Sequence, residues 1–153
     1  MADQARSDWT DADVVTAVTD TILDYAEYVD TCEPAKWAAL FCQDGVFDEG
    51  RVVQGREHLD RHVRKLLGLF TATAHHMSNI RVRRTGDQTA TATSYVYAWH
   101  RKTDGDDFEV WGRYRDELRV EDGQWRFASR RVEMFGSRGW DIQLDQVPRR
   151  PLD

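Results

Sequence analysis

Three side chains that can exchange protons stand at the ends of predicted elements in this 153-residue chain. Asp30 comes directly after the apolar stripe of a predicted helix, where the helix dipole disfavours a carboxylate. Its side chain therefore either reaches solvent or is held by a hydrogen-bond donor across a pocket. His75 and His76 begin a predicted strand, whose alternation sends one ring to each face of the sheet. A nearby carboxylate would orient the inward ring as a general base, although a lone histidine is more often structural.

Motifs for metal binding, phosphate binding, nucleophilic catalysis and cysteine chemistry are weak or missing in this sequence. His58 and His62 lie four residues apart, as metal ligands do on a helix, but Leu59 stands where a zinc protease motif has glutamate. The sequence contains no glycine-rich phosphate loop and no nucleophile-elbow serine. Cys32 and Cys42 lack a Cys-x-x-Cys spacing, and we interpret both as reduced packing residues. We therefore expect neither a metal nor a cofactor.

Helices followed by strands must position these groups. Apolar residues at three- and four-residue steps predict one long helix, and proline and glycine signals predict two shorter ones. The predicted helices cover residues 11–29, 34–41 and 56–67. A short strand at residues 46–47 and a brief hairpin at residues 51–53 lie between the second and third helices.

Four long extended runs follow, over residues 71–84, 88–102, 107–121 and 124–136. The turn-forming triplets between them predict three consecutive hairpins, and thus an antiparallel meander. Helices that precede such a sheet indicate the α+β class.

The faces of two runs suggest where a cavity lies. In the second run one face carries small side chains and ends in a histidine: Ala90, Ala92, Ser94, Val96, Ala98 and His100. This face forms either the floor of a cavity or a surface that a helix approaches closely. The third run alternates an apolar face that includes Tyr114 with a charged face, whose residues can pair across strands without any anion site.

Composition limits the classes of partner. A net charge of -6 and a pI of about 5.3 disfavour binding to nucleic acid. No window approaches a membrane span and no signal peptide precedes the domain, so we expect a cytoplasmic protein. We expect one domain over residues 1–153, with a flexible N-terminus (1–9) and an extended C-terminal tail (137–153). Exposed aromatic residues on the outer sheet face predict a homodimer or homotrimer; they are Tyr95, Tyr97, Trp99 and Trp111.

Five stretches in a fixed order resemble the nuclear transport factor 2-like superfamily, and within it the SnoaL-like branch of polyketide cyclases, dehydratases and dehydrohalogenases. They are residues 22–25 with Asp30, residues 40–46, His75 with Asn79, residues 112–114 and residues 123–127. The resemblance covers nearly the whole chain and includes scytalone dehydratase and bile-acid 7α-dehydratase. It implies a cone-shaped α+β barrel in which three N-terminal helices pack on a curved, mostly antiparallel sheet around a pocket.

The resemblance also assigns roles to side chains. Asp30 would support His75 as the base that removes a proton, Tyr25 would contact the departing hydroxyl or a carbonyl, and His100 would be a second pocket histidine. Arg130, at a spacing found in the dehydrochlorinase, would hold an anionic or enolate oxygen. Where the dehydratases place another tyrosine, this chain has Phe47 or Glu49, and Glu49 would supply a second carboxylate. The implied apolar walls are Phe70, Val96, Ala98, Tyr114, Val132 and Met134.

These assignments predict a cofactor-free lyase or cyclase of the dehydratase type. The substrate would be a small hydrophobic, oxygenated ring compound such as a polyketide, a steroid or an aromatic metabolite. His75 would abstract a proton next to a carbonyl, and Tyr25 with His100 would protonate the leaving hydroxyl or stabilise the enolate. Two alternatives stay open, a non-catalytic binding module of the same fold and a double-bond isomerase.

Overall fold

A computed structural model describes residues 9–139, 147 and 151. Its elements are α1 (Asp11–Asp30), α2 (Pro34–Ala39), β1 (Phe41–Asp48), β2 (Val52–Gln54), α3 (Arg56–Leu67), β3 (Phe70–Gly86), β4 (Thr89–Lys102), β5 (Asp107–Glu121) and β6 (Gln124–Arg138). The predicted α+β class is confirmed. Strand β6 continues to Arg138, and Trp140, Ile142 and Leu144 of the predicted tail lie outside the described residues.

The strands of the described chain form one six-stranded sheet in the order β2-β1-β6-β5-β4-β3. The four long strands form the predicted antiparallel meander, and β1 pairs in parallel with β6. This order puts β1 and β3 on opposite sides of the sheet. Side chains from the two ends of a curved sheet can therefore face each other across a cavity.

Strand β1 is longer than the sequence predicts. The Gln43-Asp44-Gly45 segment has the composition of a turn, but it is an irregularity inside the strand, where the register with β6 shifts between Phe41 and Val46. A Cβ atom on Gly45 would lie 2.9 Å from the Cys42 carbonyl oxygen and 3.0 Å from that of Phe127. The glycine thus permits a close backbone approach, and helix α2 ends early, at Ala39, because the strand begins at Phe41.

Helix α1 brings an apolar stripe and Asp30 to the sheet. Its N-terminus has a capping box, in which Thr10 accepts a hydrogen bond from the Asp13 amide and Asp13 accepts one from the Thr10 amide. Val18 and Ile22 are buried in one core with the small residues of β4. No helix of the described residues is long and apolar enough to cross a membrane.

Candidate active site

A cavity of about 380 Å³ lies between the helices and the inner face of the sheet. Its walls are mostly apolar and come from α1, α2, α3 and every long strand. The predicted wall residues Phe47, Phe70, Tyr114, Val132 and Met134 all line it. Its polar groups are few, and each has a particular position; they are Tyr25, Glu49, Arg51, Thr73, His75, His100 and Tyr114.

Asp30 and His75 form a tightly bonded pair at one side of this cavity. The His75 Nδ1 lies 2.7 Å from Asp30 Oδ1, the His75 amide donates to Oδ2 at 2.8 Å, and the Thr73 hydroxyl donates to Oδ1 at 2.8 Å. Thr73 and His75 can share the carboxylate because residues two apart on a strand face the same side. Thr73 is a partner that the sequence did not suggest.

The hydrogen bonds decide the protonation state of Asp30. Burial alone would raise the pKa of its carboxyl, but the bonds from the His75 side chain and amide and from Thr73 outweigh burial and lower it below 3.8. The carboxylate is therefore ionised at neutral pH and keeps a proton on His75 Nδ1. Because Asp30 holds Nδ1, the nitrogen left for a ligand is Nε2 of a ring that is only 8% exposed.

His76 takes the opposite face, as strand alternation requires, and stacks on Tyr97 with ring centroids 5.7 Å apart.

His100 lies beside His75, with the two rings edge to face at 5.2 Å. Phe70 and Phe108 flank its ring at centroid distances of 4.7 and 5.1 Å. Burial, with a smaller effect from His75, lowers the pKa of His100 to about 4. Its Nδ1 has no hydrogen-bond partner in the described part of the chain. A neutral imidazole is suited to hydrogen-bond a ligand rather than to protonate a leaving group.

Tyr25 and Tyr114 form a second polar group deeper in the cavity. Their ring centroids are 5.5 Å apart, and each phenol influences the pKa of the other. Burial raises the pKa of both phenols above 10.0, so both stay protonated at neutral pH. Both phenols can therefore act as hydrogen-bond donors to an oxygen of a ligand.

Arg130 does not reach the cavity, which corrects its predicted role in holding substrate. Its guanidinium lies behind the tyrosines, 4.0 Å from the Tyr25 ring centroid, 3.9 Å from that of Tyr114 and 4.4 Å from that of Phe127. It pairs with Asp116, with Nε to Oδ1 at 3.1 Å and Nη2 to Oδ2 at 3.3 Å. Both side chains are fully buried. The cation stabilises the aromatic floor of the cavity, and its fully buried side chain is not among the residues that line the cavity.

Asp116 was not predicted as a functional or structural residue from the sequence, although a signal for it exists. It stands between Tyr114 and Leu118 at an inward position of a strand that is otherwise apolar on that face. An acidic residue at such a position requires a buried cation. Burial raises the pKa of its carboxyl to about 6 in spite of Arg130.

Val96 and Ala98 are not among the residues that line the cavity, which is a second correction. They are 5% and 3% exposed and belong to the core that helix α1 covers. Of the two interpretations of this face, close approach of a helix holds for most of it. Only His100, at its end, opens onto the cavity.

Glu49 lies where the sequence predicted a second carboxylate, and it has a partner. Its Oε1 lies 2.8 Å from Nε2 of His62, while His58 bonds the Gln54 carbonyl at 2.9 Å. Among the described residues, no group of three or more His, Cys, Asp or Glu could hold a metal ion. Cys42 is buried, but Cys32 is exposed, so the predicted packing role does not apply to Cys32.

Comparison with known proteins identifies the family of this chain and solved structures with the same fold. The family model described as "SnoaL-like domain" matches residues 10–131. A protein of Novosphingobium aromaticivorans DSM 12444, provisionally named a scytalone dehydratase, is 26% identical; the match covers 89% of this chain and 94% of that one with a TM-score of 0.83. This similarity confirms the predicted cone fold, with three helices on a curved sheet that does not close.

Two further structures share the fold at lower identity. A hexachlorocyclohexane dehydrochlorinase of Novosphingobium barchaimii is 18% identical, with a TM-score of 0.73 over 88% of this chain and 94% of that one. The protein Aln2 of a Streptomyces species is 22% identical, with a TM-score of 0.72 over 83% of this chain and 94% of that one. No curated protein sequence matches this chain.

Proposed function

The chain belongs to the SnoaL-like domain family, and on that premise we propose that it is a cofactor-independent lyase of the dehydratase or cyclase type. Its structural neighbours include a provisional dehydratase and a dehydrochlorinase, and both names describe eliminations. They support a lyase-like function at the level of the family. The single observation that carries the proposal for this chain is the 2.7 Å contact between Asp30 and His75 at the cavity wall.

In the proposed reaction His75 Nε2 removes a proton from the carbon next to a substrate carbonyl. The electron pair forms a carbon–carbon double bond, the hydroxyl on the next carbon departs, and it leaves as water with the proton that His75 had taken. Asp30 stabilises the imidazolium, and the Tyr25–Tyr114 hydroxyl pair donates to the carbonyl oxygen while it carries enolate charge. His100 accepts a hydrogen bond from a substrate hydroxyl.

The cavity favours a hydrophobic ring compound with a few oxygen substituents. Its volume of about 380 Å³ falls within the range of small-molecule sites, and its walls are mostly apolar. Water exclusion by these walls would strengthen the polar contacts that form in the transition state. Polyketides, steroids and aromatic metabolites all meet this description.

The experiment uses 3-hydroxy-1-tetralone, a bicyclic β-hydroxy ketone whose loss of water gives fluorescent 1-naphthol, within a panel of related ring compounds. Products are identified by mass. For His75→Gln we expect a loss of kcat/KM of about 10²- to 10⁴-fold, the usual value of a general base. Asp30→Asn should lower the rate in the same direction, because it removes the charge that stabilises the imidazolium.

His76→Gln is the matched control, since His76 is adjacent in sequence but lies on the outer face. It should keep the wild-type rate. A product of unchanged mass would instead identify an isomerase. Binding without any product, unaffected by His75→Ala, would identify a binding module and refute the lyase.

We also propose that the protein works in the cytoplasm as a homodimer or homotrimer assembled through its outer sheet face. Tyr95, Trp111 and Phe135 are 39%, 39% and 44% exposed there, and Tyr95 packs on Phe135 at 5.5 Å. These rings offer a contiguous apolar patch to a second copy. Light scattering should return a multiple of the chain mass, and a clean monomer would exclude this assembly.

A further inference from the structure

A second histidine–carboxylate pair adjoins the same cavity. In this pair the carboxylate lines the cavity and the histidine supports it, which is the reverse of the first pair. At the first pair the imidazole of His75 lines the cavity and Asp30 supports it. At the second, the Glu49 carboxylate lines the cavity and His62 supports it through Nε2 at 2.8 Å. The side chains of Glu49 and His62 are 24% and 14% exposed, so the pair is largely enclosed.

Local structure fixes both members. Glu49 follows β1 in a tight turn, in which Gly50 has a φ of 87° and its amide donates to Asp48 Oδ1 at 3.0 Å. His62 lies on α3, whose orientation is set by the buried side chains of Leu59 and Val63. The backbone of Glu49 and the helix that carries its partner His62 are therefore both fixed in place.

The carboxylate of Glu49 has hydrogen-bonding capacity to spare. His62 satisfies Oε1, and within the described residues Glu49 makes no other side-chain hydrogen bond. A partly enclosed carboxylate is costly unless donors surround it. Its negative charge also contributes to the raised pKa of Tyr25 and Tyr114, so it acts on the same cavity.

The sheet places Glu49 and His75 on opposite walls. Strands β6, β5 and β4 separate β1 from β3, and four interstrand spacings of about 4.8 Å amount to about 19 Å along the curved surface. The direct span across the cone is shorter because the sheet curves. A rigid ligand of fused rings that spans this distance would contact both walls.

We infer that Glu49, held by His62, anchors the substrate by accepting a hydrogen bond from a hydroxyl at the end of the ring system opposite His75. The substrate class thus narrows to ring compounds with polar substituents at both ends, one of which is a hydrogen-bond donor. His62 acts as a positioning residue for Glu49. The inference rests on the proposed function for its substrate class.

The test measures equilibrium binding of two probes, 2,6-dihydroxynaphthalene and 2-naphthol, by isothermal titration calorimetry. Wild-type protein should prefer the diol, because only the diol can meet both walls. A hydrogen bond to a charged group typically changes affinity by about 10- to 100-fold, and Glu49→Gln should remove most of this preference. Glu49→Leu, which leaves no acceptor, should remove it entirely.

Variants of His62 separate anchoring from simple structural support. His62→Leu deletes the donor to Glu49 and should weaken the preference for the diol, whereas His62→Gln can still donate and should restore most of it. His58→Leu and Glu57→Gln are matched controls on the same helix, since neither contacts Glu49, and both should bind like wild type. Circular dichroism checks that each variant folds. If Glu49→Leu does not fold, the binding data for Glu49→Gln alone are enough to test the inference.

An unchanged preference for the diol in Glu49→Gln would overturn the inference. If that happened while His75→Gln abolished turnover, the anchor would fail and the lyase would stand. If Glu49→Gln removed the preference but no compound was ever converted, the anchor would stand and the lyase would fail.

Discussion

The Arg130–Asp116 pair offers a direct test of where the candidate active-site cavity ends. Replacement of Arg130 by methionine keeps a long side chain under Tyr25 and Tyr114 but removes the charge. The Asp116 carboxylate would then be buried without a cation, and three aromatic rings would lose the guanidinium that now lies 3.9 to 4.4 Å from their centroids.

The expected cost is large because neither group can reach solvent; both side chains are 0% exposed. Removing one member of a buried ion pair costs about 3–5 kcal/mol. That is a substantial part of the roughly 5–15 kcal/mol by which domains are stable. In a chain of this size it corresponds to a fall in Tm of about 6 to 20 °C. The double variant Arg130→Met with Asp116→Leu should recover much of the loss, since it leaves no unpaired charge.

Equilibrium unfolding in urea, followed by tryptophan fluorescence and circular dichroism, measures these free energies. Arg115→Met is the control, because Arg115 pairs with Glu133 in an exposed position and should cost less than about 1 kcal/mol. A loss below about 1 kcal/mol in Arg130→Met, together with lost binding of 2-naphthol, would refute the structural role. It would mean that the guanidinium contacts ligand, as the sequence resemblance implied.

Burial raises the pKa of Asp116 from 3.8 to about 6, so the native state binds more protons than the unfolded state between these pH values. The free energy of unfolding should therefore fall as the pH rises from about 4 to about 6. Urea titrations of Asp116→Asn should show a weaker dependence of this free energy on pH. Burial lowers the pKa of His100 from 6.5 to about 4, so its contribution to the free energy of unfolding should grow as the pH rises between these values. The NMR signals of its ring should not shift above about pH 6. A titration of these signals near pH 6.5 would contradict the burial of the ring. Gly45→Ala should cost about 1–3 kcal/mol, because its Cβ would lie 2.9 Å from the Cys42 carbonyl oxygen, whereas Gly136→Ala, which meets open space, should cost little in the same unfolding assay.

The order of the elements could be predicted because each is specified locally. The apolar stripe of α1 and the hairpin triplets between long strands are short-range signals, and they placed Asp30 at a helix end and either His75 or His76 on the inward strand face, and the family resemblance selected His75. Strand β1 could not be bounded in this way, since Gln43-Asp44-Gly45 has the composition of a turn. The segment stays in the strand because parallel pairing with β6 brings in long-range hydrogen bonds, and a local pattern carries no information about them.

Local sequence patterns also could not predict which inward side chains line the cavity and which belong to the core behind it. Val96, Ala98 and Arg130 all point inward, as their strand positions predict, yet the inner face of the sheet is divided between the cavity and the core under α1. Which part a residue faces depends on where the helix crosses the sheet. Asp116 was the available clue to this division, since an inward acid on an apolar face demands a buried cation and so identifies Arg130 as a core residue.

A neighbouring side chain holds each main polar group of the cavity in position. Asp30 holds His75 and His62 holds Glu49 through hydrogen bonds, while Phe70 and Phe108 flank the His100 ring and Tyr114 packs against Tyr25. In each case a neighbour fixes the position of the group that lines the cavity and leaves hydrogen-bonding capacity for a ligand. Mobile polar groups in an apolar site would have to reorganise as charge develops, whereas groups fixed in this manner are already oriented. In the proposed reaction, the rate of proton removal by His75 should therefore depend on Asp30 through orientation as well as charge.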